Sequence, residues 1–319
     1  MWVVDTGVDA THAEFAGGRA SNDFSVFAST VDCHGHGTHV SSTAAGVQYG
    51  VAPGARLRAI KVLDCSGSGS TYGVAQGLAY VLAHLSGRDV INLSLGYGAR
   101  DAVVESIIAD LVAAGVVIAA AAGNENTNAC NHFPSAHAGV LAVAATTSTD
   151  ARASFSNYGS CVSLFAPGAN IRAALRGGGS TVMSGTSMAS PHVAGAVALL
   201  FERGVAPADV PAALLAACTA GAVSSVAGSP NRLLFVESTV AVSASPTPSP
   251  SRAAASASRT PSPSRAAASA SRTPSASKQS RTPSRTPKTV KNSAASSAVV
   301  PANFWLLAAL VAGLLFAGP

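Results

Sequence analysis

The chain has 319 residues, 48% of them apolar and 11% charged, which allows one large domain or two small ones. All 15 acidic residues lie at or before Glu237, with 11 of the 20 basic ones, so the formal net charge of +5 belongs to the last quarter and the part before it is acidic. That split, with no interleaving of aromatic and basic residues, argues against a nucleic-acid partner.

Met1-Trp2-Val3-Val4 has no basic or cleavable segment and is not a signal peptide. It enters a buried strand, Trp2–Val4, at once, and a true N-terminus upstream of Met1 is expected. Asp5-Thr6-Gly7 closes that strand. A buried carboxylate there can orient a histidine and stabilise its imidazolium. Aspartic proteases also carry this tripeptide, but they need a second such loop, and the chain has none. His34-Gly35-His36-Gly37-Thr38-His39 opens a predicted helix, Gly37–Ala45, and would hold His36 rigidly as a base. Three histidines in six residues could instead bind metal, but no carboxylate or cysteine ligand pattern accompanies them. His34 and His39 read as structural or exposed.

Leu57–Leu63 and Asp89–Leu95 are continuously apolar and read as strands buried on both faces, with the helix Tyr72–His84 between them. Asn92-Leu93-Ser94 is formally a glycosylation sequon, but it lies in a buried strand and is expected to stay unmodified. Ala102–Ala114 is a helix, Val116–Ala120 a strand, and Ala121-Ala122-Gly123-Asn124 follows it. An asparagine amide there can donate to an oxyanion together with a backbone N–H. Val140–Ala145 is a further strand. Gly185-Thr186-Ser187-Met188-Ala189 starts the helix Ser187–Phe201, where free N–H groups favour developing negative charge on a substrate attacked by Ser187. Ala189 replaces the last glycine of a G-x-S-x-G elbow, so this is no α/β-hydrolase turn. His192 reads as packing. The alternation predicts an α/β fold, doubly wound, with a mainly parallel central sheet and helices on both faces. Ligands of such sheets bind beyond the carboxyl ends of the strands.

Five cysteines, at 33, 65, 130, 161 and 218, include no C-x-x-C, so zinc and redox motifs are poorly supported. Two disulfides would indicate an oxidising compartment. The catalytic-type domain reads as 1–240, followed at 241–294 by a repetitive Ser/Pro/Thr/Arg-rich stalk. The stalk repeats S-R-A-A-A-S-A-S-R-T-P-S from Ser251 and from Ser264. Such a segment reads as an extended, O-glycosylated stalk or as an undecorated linker. Residues 295–319 hold the apolar run Phe304–Phe316. With Asn292-Ser293-Ala294 before it, this matches a GPI-attachment signal, a tail-type membrane helix being the alternative.

Taken together, Asp5-Thr6-Gly7, His36-Gly37-Thr38-His39, Ser94-Leu95-Gly96, Ala122-Gly123-Asn124 and Gly185–His192 resemble the subtilases, closest to the proteinase K and aqualysin group. Ser154–Gly159 and Pro230–Leu234 are also similar, and the resemblance covers Met1 to about Val236. It implies a secreted or surface serine endopeptidase in which Asp5 orients His36, His36 is the general base, Ser187 the nucleophile and Asn124 the oxyanion donor. It also implies that Ser94, Leu95 and Gly96 pair with a protein or peptide substrate. Ala121, Ala122 and Gly123 would line a roomy pocket for apolar residues before the cleaved bond. The aqualysin pattern pairs Cys33 with Cys65 and Cys130 with Cys161, leaving Cys218 as a buried thiol in an apolar helix. The chemistry needs no cofactor. Relatives bind structural calcium through carbonyls matching Ala138 and Val140 plus a carboxylate, but Ser163 stands at the carboxylate position. A signal and an inhibitory propeptide are expected upstream, and the chain is expected to act as a monomer. The competing reading is a non-catalytic surface-displayed protein that keeps the fold.

Overall fold

Apolar runs with no polar face need a neighbour on each side, and the sheet supplies both. The computed structural model describes residues 1–237; the stalk at 241–294 and the apolar segment at 295–319 lie outside the described residues. The strands are β1 (Trp2–Asp5), β2 (Ala20–Ser25), β3 (Leu57–Lys61), β4 (Val90–Leu93), β5 (Val117–Ala121), β6 (Val140–Thr146), β7 (Leu164–Pro167), the hairpin β8 (Ile171–Ala174) and β9 (Ser180–Met183), β10 (Thr219–Ala220) and β11 (Arg232–Leu233). The α-helices among them are α1 (His36–Ala45), α2 (Thr71–Leu82), α3 (Ala102–Ala113), α4 (Thr186–Glu202) and α5 (Val210–Ala217). No helix among the described residues is long and apolar enough to cross a membrane.

The main sheet runs β10-β11-β7-β6-β5-β4-β1-β3-β2 and is parallel throughout except for the β10–β11 pair. The strand order reverses at β1, which pairs with β3 on one side and β4 on the other, with Val4 level with both Ile60 and Leu93. A crevice opens beyond the strand ends at such a switch point, and Asp5 is the last residue of β1.

Side chains alternate between faces with period two. Trp2, Val4, Ile60, Ile91, Leu93, Ile118 and Ala120 point into a core covered by α2 and α3. Val3, Leu57 and Ala59 point the other way, onto α1, while Val90, Val117 and Ala119 pack on α4 and α5. Each fully buried Val, Leu or Ile contributes about 1.5–3 kcal/mol, so both faces hold the sheet firmly. By the same alternation Asp5 shares the face of Val3, towards α1 and α4.

All five predicted strands are present, with ends shifted by one or two residues. β3 stops at Lys61 because the N–H groups of Val62 and Leu63 both turn to the Asp5 carbonyl, at 2.9 and 3.1 Å, wrapping the chain around the end of β1. β2 was not legible as a strand. Its sequence, A-S-N-D-F-S, has no apolar run, since it lies at the sheet edge and stays partly exposed.

Candidate active site

The first half of the site is built where β1 ends against the start of α1. The His36 ring donates through Nδ1 to both oxygens of Asp5, at 2.8 and 3.0 Å, which leaves Nε2 as the lone-pair nitrogen. Asp5 is fully buried and His36 is 19% exposed. α1 can press this close only because Gly37 has no side chain: a Cβ there would lie 2.1 Å from the Gly7 carbonyl oxygen. Burial of the imidazole disfavours its charged form. The charge and hydrogen bond of Asp5, with the charge of Asp32, outweigh that and hold the His36 pKa above its ordinary value.

Asp32 had no place in the sequence reading, yet it anchors this half. Its buried carboxylate accepts from Thr6 Oγ1 (2.9 Å), the N–H groups of His34 (3.0 Å), Gly35 (2.8 Å) and Thr38 (3.0 Å), and Thr38 Oγ1 (2.6 Å). It thereby satisfies otherwise orphaned N–H groups and places an anion at the start of α1. An acidic residue four positions ahead of a helix-opening histidine was the available signal.

The second half is neutral. Ser187 sits in the first turn of α4, and its hydroxyl donates to the Ser94 carbonyl at 3.2 Å; no hydrogen bond joins it to His36 in this structure. Pro191, inside α4, lacks an N–H and so leaves the Ser187 carbonyl without its helical partner. Ser94 Oγ donates to that carbonyl instead, at 2.7 Å. Ser94 Oγ in turn accepts from Asn92 Nδ2 (2.9 Å), and Asn92 Oδ1 accepts from Ser190 Oγ (2.8 Å). Asn92, considered above only as a sequon, is a fully buried strut between β4 and α4.

Asn124 follows β5. Its Oδ1 accepts from the Thr186 N–H (2.8 Å) and Thr186 Oγ1 (3.0 Å), so Nδ2 is left as a donor. An ideal Cβ on Gly185 would stand 3.6 Å from the Ser187 nitrogen and 3.8 Å from Asn124 Nδ2, so both donors border one small space. Ala121 and Ala122 are buried, Ala122 in a cluster with Phe165. A groove of about 360 Å³ starts at His36 and runs between Gly67–Thr71 and Ser94–Tyr97.

The remaining predicted residues are placed as follows. His34 is exposed, while His39 is buried with its Nε2 donating to the Ile171 carbonyl at 3.1 Å, and burial pulls its pKa down to about 4. His192 bonds to the Met188 carbonyl through Nδ1 at 2.8 Å. Cys33 is bonded to Cys65 and Cys130 to Cys161. Cys218 departs from the buried helical thiol expected: it stands at the C-cap of the short helix α5 and is only partly buried, because α5 ends where β10 begins. At the implied calcium position Ser163 stands where the relatives' pattern has a carboxylate. Ser163 brings a neutral hydroxyl that already accepts the Ala142 N–H at 3.1 Å.

Comparison with known proteins places the chain in a family. The chain is 46% identical over 239 residues to the alkaline serine exoprotease A of Vibrio alginolyticus, covering 73% of this chain and 44% of that protein. It is 44% identical over 241 residues to an extracellular serine proteinase of a Thermus species, covering 73% and 58%. It thus spans about half the length of the curated relatives it matches. A crystal structure of a cold-adapted subtilisin-like serine proteinase superposes with a TM-score of 0.70 at 44% identity, covering 73% of this chain and 87% of that one. The family model described as "Subtilase family" matches residues 2–299, and the chain belongs to that family.

Proposed function

We propose that this protein is a serine endopeptidase that hydrolyses peptide bonds in proteins, with a broad preference for apolar residues before the cleaved bond. One observation carries the reading. An imidazole held by a buried carboxylate lines a groove together with Ser94, whose carbonyl accepts the hydroxyl of Ser187 at a helix start, and the Ser187 N–H and Asn124 Nδ2 border one space.

In this reading a peptide lies along Ser94-Leu95-Gly96 as an added strand. The Ser187 hydroxyl rotates away from the Ser94 carbonyl towards His36 Nε2; such bonds are often loose before substrate binds. Nε2 takes the proton as Oγ attacks the carbonyl carbon. The negative charge forming on the carbonyl oxygen is met by the Ser187 N–H and Asn124 Nδ2. Asp5 stabilises the imidazolium, which then protonates the leaving amine. Water hydrolyses the acyl-enzyme by the same route. No step requires a cofactor.

The extracellular relative and the two disulfides support a location outside the cytosol. Attachment through a GPI anchor at Asn292-Ser293-Ala294 is a proposal from sequence alone. Release by a phosphatidylinositol-specific phospholipase tests it.

The decisive test is covalent. A fluorophosphonate should label Ser187 of the native chain and not the Ser187→Ala variant, and casein hydrolysis should disappear with the hydroxyl. Absence of labelling together with intact binding of an unrelated partner would favour the display reading instead.

A further inference from the structure

We infer that His132 gives the pocket before the cleaved bond a preference for side chains that donate a hydrogen bond, superimposed on its broad apolar tolerance. This rests on the endopeptidase reading above and adds a selectivity that Ala121, Ala122 and Gly123 do not supply.

The argument begins with two glycines. Ser94–Gly96 follows β4 and Ala121–Gly123 ends β5, and these strands are paired neighbours. A Cβ on Gly96 would stand 2.0 Å from His132 Cε1, and a Cβ on Gly123 would stand 2.7 Å from His132 Cδ2. The ring edge carrying Nε2, which lies between those two carbons, therefore spans the gap between the two walls. The ring is pinned there by its neighbour: Phe133 and Tyr97 exchange backbone hydrogen bonds at 2.7 and 2.8 Å.

The protons on this edge follow from Ser135. Its hydroxyl donates its single proton to the His132 carbonyl at 3.0 Å. The contact of His132 Nδ1 with Ser135 Oγ, at 3.4 Å, must then have Nδ1 as the donor. Nε2 is left as an acceptor, and no hydrogen bond among the described residues reaches it. Burial pushes the His132 pKa down against the opposing charge of Glu125, which keeps the ring neutral near pH 7.

Glu125 adds a second acceptor on the Gly123 side. A Cβ on Gly123 would meet Glu125 Oε2 at 2.6 Å, and that oxygen accepts from Asn157 Nδ2 at 2.7 Å. The nearest group to that Cβ is the Asn157 amide, at 2.1 Å, but both its N–H bonds are already given to the Ala122 carbonyl and Glu125 Oε2, so the acceptors left there are an imidazole lone pair and a carboxylate. An apolar side chain buries its surface there equally well in either case. One that ends in O–H or N–H gains a hydrogen bond besides.

Four peptides that differ only in the residue before the cleaved bond test this, paired as Tyr against Phe and Gln against Met. The native full chain should favour Tyr and Gln in kcat/KM by about three- to tenfold, the factor one net hydrogen bond supplies. His132→Phe keeps the ring volume without the acceptor and should bring both ratios to about one while the Phe peptide is still cleaved. His132→Ala is the second variant, should the first not fold, and should abolish the ratios likewise. Equal hydrolysis within each pair by the native chain, or ratios unmoved in a folded variant, overturns the inference alone. Cleavage of none of the four peptides by the native chain overturns the endopeptidase reading and this inference with it.

Discussion

The two halves of the site are held by different physics. Around β1 and α1 the interactions are ionic: a buried carboxylate on the imidazole, and a second carboxylate, Asp32, at the start of the helix. Around β4 and α4 they are neutral: hydroxyls, an amide and a carbonyl freed by a proline. The first arrangement sets a proton affinity, since charge shifts a pKa strongly where water is excluded. The second fixes positions at little electrostatic cost to the group it holds. The comparison teaches that the proposed base and the proposed nucleophile are given different support, and each prediction below separates them.

The largest effect expected is on the ionic half. Asp5→Asn leaves the volume nearly unchanged but removes the charge and turns one acceptor oxygen into an NH2 donor. With the remaining oxygen taken by the Thr6 N–H, the donor faces His36 Nδ1 and pushes the proton onto Nε2. Loss of about 10⁴-fold in kcat near neutral pH is expected, as for the equivalent change in other triads. Stopped assays on a short peptide amide would measure it, and a loss below about tenfold would show that the Asp5–His36 bond is structural only.

The neutral half should respond more weakly at a single position. Asn124→Ala removes the Nδ2 donor and the Oδ1 acceptor for Thr186. A fall of about 10²- to 10³-fold in kcat with KM nearly unchanged is expected, because the donor acts on charge present only in the transition state. A change confined to KM would place Asn124 in ground-state binding.

How much of this was visible beforehand follows the same division. Asp5, His36, Ser187 and Asn124 each stand beside a strand end or helix start, where short motifs mark the turn, so their sites were legible from local sequence. The central strands were legible for a similar reason: burial on both faces demands unbroken apolar runs. Edge strand β2 is partly solvated and carries no such signature. Asp32 reaches mainly local partners, His34, Gly35 and Thr38, with Thr6 26 positions away, whereas Asn92 and Ser94 Oγ act on α4 across 98 and 93 positions. No window along the chain contains both members of such a pair. The missing Pro191 N–H was readable, but the hydroxyl that replaces it was not. His132 is similar, since its meaning depends on Gly96 and Gly123, from the segments that follow β4 and β5.

The last comparison sets Asp32→Asn against Asn92→Ala. Both remove a buried hydrogen-bonding group, and both should lower stability by about 1–3 kcal/mol by leaving partners unsatisfied. Stability alone therefore cannot tell the halves apart. The pH profile can. In the proposed mechanism the active base is neutral His36, so kcat/KM should rise with pH as the imidazole loses its proton. The Asp32 charge raises the His36 pKa, and neutralising it must lower that pKa and move the acid limb to lower pH. Relative to its own plateau, Asp32→Asn should be more active at pH 6 than the native chain. Asn92→Ala carries no change of charge; it should lower the plateau through a misplaced Ser187 and leave the limb where it was. Partial unfolding scales the whole profile without sliding it, so a displaced limb in Asn92→Ala, or an undisplaced one in Asp32→Asn, would contradict the division of labour directly.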